Sequence, residues 1–151
     1  MNPYSQPAAK TAKTPMHSGP RLRPAALAAR EKLAEGRAKL KAQHDRGSPG
    51  IQVSAGLTTL LDSIVVDLYR AALEATATGI ESLMALVPLG GYGRGDLAPF
   101  SDIDLMLMHQ PGADRKITAF VRTLTQDIFD ASHNWRIAKT PVEAEEQDFS
   151  A

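Results

Sequence analysis

Apolar residues recur along this chain with periods that change from segment to segment, and each change marks an element. Leu60, Leu61, Ile64, Val65, Leu68, Tyr69 and Leu73 follow one another at three- and four-residue steps. That spacing predicts an amphipathic helix. It starts near Thr58 or Thr59, either of which suits a cap, and runs to about Ala77, ahead of Gly79. Ser82 to Leu89 ("SLMALVPL") reads as a short strand, with Pro88 marking an edge or an end. Ile103 to His109 ("IDLMLMH") is apolar on both faces after Asp104, which predicts a buried strand. After the turn "PGADRK", Phe120, Val121, Leu124, Ile128 and Phe129 form the core face of a helix from Ile117 to about Phe129.

The two ends carry weaker patterns. Pro24 suits a first helical turn. Ala25 to about Gln43 holds good helix formers apart from Gly36. Its apolar stripe, Leu27, Leu33 and Leu40, is thin, so the helix needs a packing partner. "DRGSPG", Asp45 to Gly50, ends it. "WRIAKT" predicts a strand, and Pro141 is placed at the start of a helix that the chain end cuts short. Residues 1–20 include Pro3, Pro7, Pro15 and Pro20 among small and polar residues, and disorder is expected there. The division expected is a tail over 1–23, a helical segment over 24–80 and a core over 81–151. The class is α/β or α+β with a small sheet.

Bulk properties narrow the function only a little. A chain of 151 residues suits one domain. Seventeen basic and seventeen acidic residues cancel. Residues 1–50 nevertheless hold ten Lys/Arg against three Asp/Glu. Those cations are scattered and lack aromatic partners for base stacking, which argues against nucleic acid and for a solvated helix face. No cysteine is present, so disulfides and thiolate metal sites are excluded. The apolar stretches fall short of the roughly 20 residues of a membrane span, and no signal-peptide core follows Met1. A cytoplasmic location without membrane association is the expectation. His17, His44, His109 and His133 have no metal-ligand spacing and read as surface or loop residues. Trp135 and Tyr69 read as packing residues.

The chemistry concentrates in Leu89 to Met108, "LGGYGRGDLAPFSDIDLMLM". On a strand, residues i and i+2 share a face, so Asp102 and Asp104 project together while Ile103 points inward. Two neighbouring carboxylates repel unless they are solvated, protonated or bridged by cations. Hard divalent ions are a natural bridge, and magnesium keeps positions open for substrate phosphates. Gly90, Gly91, Gly93 and Gly95 let backbone N–H groups approach an anion closely. Arg94 adds a candidate phosphate contact. The pattern is neither a dinucleotide fingerprint nor a P-loop. Taken alone, an Asp-x-Asp or a glycine loop is an ordinary turn feature. In this order and spacing they suggest a triphosphate held by the loop and its metal held by the acids.

"GGYGRGDLAPFSDIDLMLM" resembles the signature of the DNA polymerase β-like nucleotidyltransferase superfamily: an apolar strand, Gly-Gly, about ten residues, then Asp-x-Asp on a strand. More narrowly it is similar to the bacterial protein-PII uridylyltransferase/uridylyl-removing family. "KLAEGRAKLKAQHDRGSPG" looks like that family's lead-in, and the Thr58–Ala77 helix falls where the family has one. "KTPVEAEEQDFSA" is similar to the segment after its third helix. The resemblance covers roughly residues 25–151. It implies a polymerase-β-like fold, a small mixed sheet flanked by helices and preceded by N-terminal helices. It implies transfer of a uridylyl group from UTP to a tyrosine of the PII signalling protein, releasing pyrophosphate. By it, Asp102 and Asp104 are the catalytic Mg²⁺ ligands, and Gly90, Gly91, Arg94 and Ser101 bind the nucleotide.

Two departures accompany the resemblance. Family members are several times longer, continuing into a phosphohydrolase domain and paired ACT domains. The superfamily also uses a third carboxylate on a later strand. The later acids here, Asp127, Asp130, Glu143, Glu145, Glu146 and Asp148, lack the apolar strand context. The expectation is a truncated nucleotidyltransferase with little activity alone. The alternatives are an inactive nucleotide- or protein-binding module and an adenylyl-transferring relative, because the sequence does not read the base.

Overall fold

The computed structural model describes residues 22–76 and 79–142. The expectations for a disordered tail, for a helix past Pro141, and for Glu143, Glu145, Glu146 and Asp148 fall mainly or wholly outside these residues. Helix α1 spans Pro24–Asp45 and α2 spans Gly50–Thr76. A single 3₁₀ turn, Glu81–Leu83, leads into strand β1, Met84–Pro88. A short helix α3, Gly90–Arg94, precedes β2, Ile103–His109. Helix α4, Asp114–Ala131, then carries the chain to β3, Trp135–Pro141. The class is mixed α and β, with a three-stranded sheet in the order β1-β2-β3. β1 runs antiparallel to β2, from Met84 opposite His109 to Pro88 opposite Leu105. β3 runs parallel to β2, from Trp135 beside Ile103 to Pro141 beside His109. The β2–α4–β3 unit is a crossover, as a parallel pair requires. Pro88 lies on an edge strand, as expected.

Local rules explain most boundaries. Pro24 occupies the first turn of α1, where its missing N–H costs nothing. The apolar stripe of α1 differs from the expected one. Leu33 is buried, but Leu27 is exposed, and Ala26 and Ala29 take the inner positions. Small residues bring α1 close to its neighbours. A Cβ on Gly36 would lie 2.3 Å from a Leu60 methyl, and one on Gly56 would lie 2.6 Å from a Leu40 methyl. Each leucine therefore fills the space left by the glycine of the opposite helix.

α2 begins eight residues before Thr58 rather than at it. The Pro49 carbonyl accepts from the N–H groups of Gln52 and Val53, at 3.0 and 3.3 Å. Val53 and Leu57 extend the buried stripe backward. The Thr58 and Thr59 hydroxyls donate to the Ser54 and Ala55 carbonyls, each at 3.1 Å. Threonine can bond back within a helix as well as cap one, and the apolar period was the better guide. By length and composition alone α2 is apolar enough to cross a membrane, contrary to the expectation for this chain. Its buried face, including Leu61, Ile64 and Leu68, joins the common core with α1 and α4.

β2 is central but not buried on both faces. Ile103, Leu105, Leu107 and His109 are buried, Met106 and Met108 are half-buried, and Asp104 is exposed. The core cluster joins Ile103, Leu105 and Leu107 to helix residues; Asp104, Met106 and Met108 face the open side of the sheet. The same alternation places His109 in the core at 1 % exposure, not on the surface as expected. Its Nδ1 lies 3.0 Å from the Gln110 carbonyl. On α4 the inner residues are Ile117, Phe120, Leu124, Asp127, Ile128 and Ala131. Phe129 is exposed and rests against His133, with ring centroids 4.8 Å apart. It lies about 100° around the helix from Ile128, so only one of the two can face inward. Trp135 is buried, and Tyr69 meets Phe120 edge-on at 5.0 Å, as packing residues should.

Asp127 is the acidic residue in the core and, beside the buried His109, the second polar group there among the described residues. Arg23 donates to its Oδ2 at 2.5 Å, tying the start of α1 to α4, while Oδ1 has no partner among the described residues. Burial pushes the Asp127 carboxyl up, against the opposing pull of Arg23 and with a small push from Asp130. The folded chain thus holds this proton at pH values where the unfolded chain has released it. Stability from this group is present at low pH and falls as pH rises above the ordinary carboxylate value of about 3.9. Asp127→Asn is expected to remove that slope. Urea unfolding at several pH values between about 4 and 7 measures it. A wild-type-minus-variant difference that is flat or rises with pH would contradict the assignment.

Candidate active site

The glycine segment is a helix of little more than one turn rather than an open loop. Leu89 caps α3 in extended conformation, and Gly95 closes it at φ 72°. The Gly95 and Asp96 N–H groups return to the Tyr92 and Gly91 carbonyls at 3.1 and 3.0 Å. A left-handed residue at this position favours glycine. Gly93 has a different task. A Cβ there would sit 2.6 Å from the Pro88 carbonyl oxygen, so glycine lets α3 lie directly against the end of β1. Gly90, at φ 55°, borders open space. As first residues of a helix, Gly90 and Gly91 have N–H groups without intrahelical acceptors. These are the two glycines whose donors remain for a ligand.

The link between this helix and the aspartates is a backbone hydrogen bond. The Leu89 N–H donates to the Asp104 carbonyl at 2.9 Å. The bond extends the β1–β2 ladder by one pair, so α3 starts beside the strand residue that carries Asp104. Asp102 lies just ahead of β2 and Asp104 is its second residue. Both are exposed, while Ile103 between them is 1 % exposed. The alternation turns both carboxylates outward from the core, as the Asp-x-Asp spacing predicts.

Three partners of the predicted residues, and one of their neighbour Tyr92, are not signalled by the sequence. Arg136 of β3 lies 3.4 Å from Asp102 and is the register neighbour of Asp104. It offsets part of the negative charge of the pair. Arg94 donates through Nε to Asp96 at 3.0 Å, so its guanidinium is already engaged on the surface. Tyr92 is buried, and its hydroxyl donates to Asp62 of α2 at 2.8 Å. Burial and the Asp62 carboxylate push the Tyr92 phenol well above its usual range, so it stays protonated and pins α3 to α2. Arg136 and Asp62 are distant in sequence, and nothing local signals them. Ser101 belongs to a tight turn, in which its Oγ accepts from the Ala98 N–H at 3.2 Å. Its hydroxyl proton remains available.

Asp102 and Asp104 present exposed, hard oxygen donors beside bare N–H groups, a donor set that fits a magnesium ion in part. Among the described residues no group of three His, Cys, Asp or Glu side chains converges on a metal position. Asp127, on α4, is held by Arg23 at the start of α1, and Asp130 accepts from Gln126 at 3.0 Å. Neither acts as the third carboxylate.

The bifunctional uridylyltransferase/uridylyl-removing enzyme of Aromatoleum aromaticum is 31 % identical over 126 residues, covering 81 % of this chain and 14 % of its own length. The enzyme of the same name from Caulobacter vibrioides is 30 % identical over 129 residues, 80 % of this chain and 14 % of its own. That from Burkholderia lata is 36 % identical over 84 residues, 44 % of this chain and 10 % of its own. The chain thus spans about a seventh of the length of these relatives at most. No family model matches it, and no solved structure matches it.

Proposed function

From the premise that this chain is homologous, over four fifths of its length, to one segment of the bifunctional uridylyltransferase/uridylyl-removing enzymes, we propose that it carries a nucleotidyl-transfer site. The reaction is transfer of a uridylyl group from UTP to a tyrosine hydroxyl of a PII signalling protein. The tyrosyl oxygen bonds to the α-phosphorus, the bond to the β-phosphate breaks, and pyrophosphate leaves. The observation that carries this reading is the Leu89–Asp104 backbone hydrogen bond. It holds a glycine helix start beside two outward carboxylates, which are the two halves of a phosphate-and-metal site.

Asp102 and Asp104 would hold magnesium, which supplies charge neutralisation on the phosphates when bound. Gly90 and Gly91 offer N–H donors to phosphate oxygens, and Ser101 offers its hydroxyl proton. Arg94 would have to exchange Asp96 for a phosphate, a swap between two anions of similar geometry. Arg136 would move off Asp102 as the carboxylate takes up a cation.

A second reading, nucleotide binding without transfer, is favoured by one observation. Among the described residues, Asp102 and Asp104 have no third carboxylate. A chimera separates the two. This segment replaces the matching part of the Aromatoleum aromaticum enzyme, and label from UTP is followed onto PII protein. Transfer supports the first reading. Magnesium-dependent UTP binding without transfer supports the second, and no UTP binding removes both.

A further inference from the structure

A pocket of about 400 Å³ lies between α1 and the segment that leads to Asp102. Arg37, Leu40, Lys41 and His44 contribute from α1, Leu57 from α2, and Phe100 from the leading segment. The floor is apolar: Leu57 is buried and Leu40 packs against the core. Phe100 stands at its edge with 87 % of its surface exposed.

Lys41 donates to Asp45 at 2.6 Å. The His44 Nδ1 lies 3.2 Å from the Ser48 carbonyl. Arg37 is different. Among the described residues its buried Nε has no hydrogen-bond partner and it makes no ion pair. Burial alone pulls its guanidinium down from the usual arginine value. Buried donors are nearly always satisfied, and an uncompensated half-buried cation is costly. The pocket therefore holds one unspent positive charge above an apolar floor. Its volume falls within the range of small-molecule sites.

We propose that this pocket binds a small monocarboxylate with an apolar or aromatic body. The carboxylate accepts from the Arg37 guanidinium, and the body lies on Leu40 and Leu57 under Phe100. A single unpaired guanidinium matches one negative charge, and its planar fork suits a carboxylate. A dianionic phosphate would leave one charge unmatched in an apolar site. The ligand would sit against the segment that carries Ser101 and Asp102, so its occupancy would be felt at the start of β2. The proposal does not depend on the reaction assigned to Asp102 and Asp104.

The test is a titration of the whole chain with naphthoate and, separately, neutral naphthamide, followed by NMR at the Arg37 Nε–H and the Phe100 ring. Naphthoate is expected to shift both signals and to bind about tenfold or more tighter than naphthamide, the scale of one charge-assisted hydrogen bond. Arg37→Gln should erase that preference while leaving the melting temperature unchanged or higher. Phe100→Ala, at an exposed position that the fold does not need, should weaken both probes alike. Equal affinity of the two probes for the wild type would overturn the proposal. So would a preference that survives Arg37→Gln, or naphthoate binding that disappears in Asp104→Asn.

Discussion

Asp104→Asn is expected to lower uridylyl transfer, measured in the chimera, by on the order of 10²- to 10³-fold, the scale of losing one preorganised charge contact. The fold should not change. Asp104 is exposed, and exposed substitutions typically move stability by less than about 0.5 kcal/mol. Its structural contribution is made by the backbone, whose carbonyl accepts the Leu89 N–H, and asparagine keeps that carbonyl. Removing one of two adjacent like charges also relieves repulsion. A catalytic loss with an unchanged melting temperature is therefore the signature of a functional carboxylate. Asp102→Asn should behave alike, because its pair with Arg136 is exposed on both sides and such pairs contribute little. Transfer at the wild-type rate in both variants would remove the proposed role of the pair.

Gly93→Ala is expected to destabilise the chain by about 1–3 kcal/mol, the usual cost of forcing atoms into a filled space. It should also lower affinity for UTP. The new methyl would meet the Pro88 carbonyl oxygen at 2.6 Å and its carbon at 3.1 Å. Those are backbone atoms of a strand held by β2, so no side-chain rotation relieves the contact. The remaining escape is for α3 to tilt away from β1, carrying Gly90 and Gly91 with it. Gly90→Ala is the control. It borders open space, so its cost is limited to the left-handed backbone, about 1–2 kcal/mol, without displacement of the helix. Thermal unfolding of both variants and UTP titration distinguish the cases. Wild-type stability and UTP affinity in Gly93→Ala would mean that the α3–β1 contact does not position the site.

The elements of this chain were legible where a periodic apolar pattern was long enough to overrule single residues. The strand Ile103–His109 is readable from its apolar run and Phe120, Leu124 and Ile128 of α4 from helical spacing, but the alternation of buried and half-buried residues along β2 is not. The start of α2 was misplaced because a threonine hydroxyl serves equally as a cap or as a back-bond to the preceding turn. Leu27 and Phe129 face solvent because apolar character favours burial without deciding which side of a helix meets a partner. The glycine stretch was recognisable as a place of close backbone approach, but the separate tasks of its glycines were not. Gly93 depends on the position of Pro88, and Gly95 on the end of a helix that the sequence reads as a loop.

By itself the sequence determined the chemistry available at the site and the direction in which it points. Asp-x-Asp around a buried isoleucine turns both carboxylates outward, because a strand alternates its faces. Two adjacent glycines ahead of it leave N–H groups bare. Only the tertiary structure decided how those parts meet and what neutralises them. Strand pairing brings Leu89 to Asp104, the parallel register brings Arg136 to the acid pair, and the packing of α2 supplies Asp62 to Tyr92. These contacts join residues far apart along the chain. Their formation depends on which strands pair and which helix faces dock, a choice made by the whole core and not by any short stretch of residues.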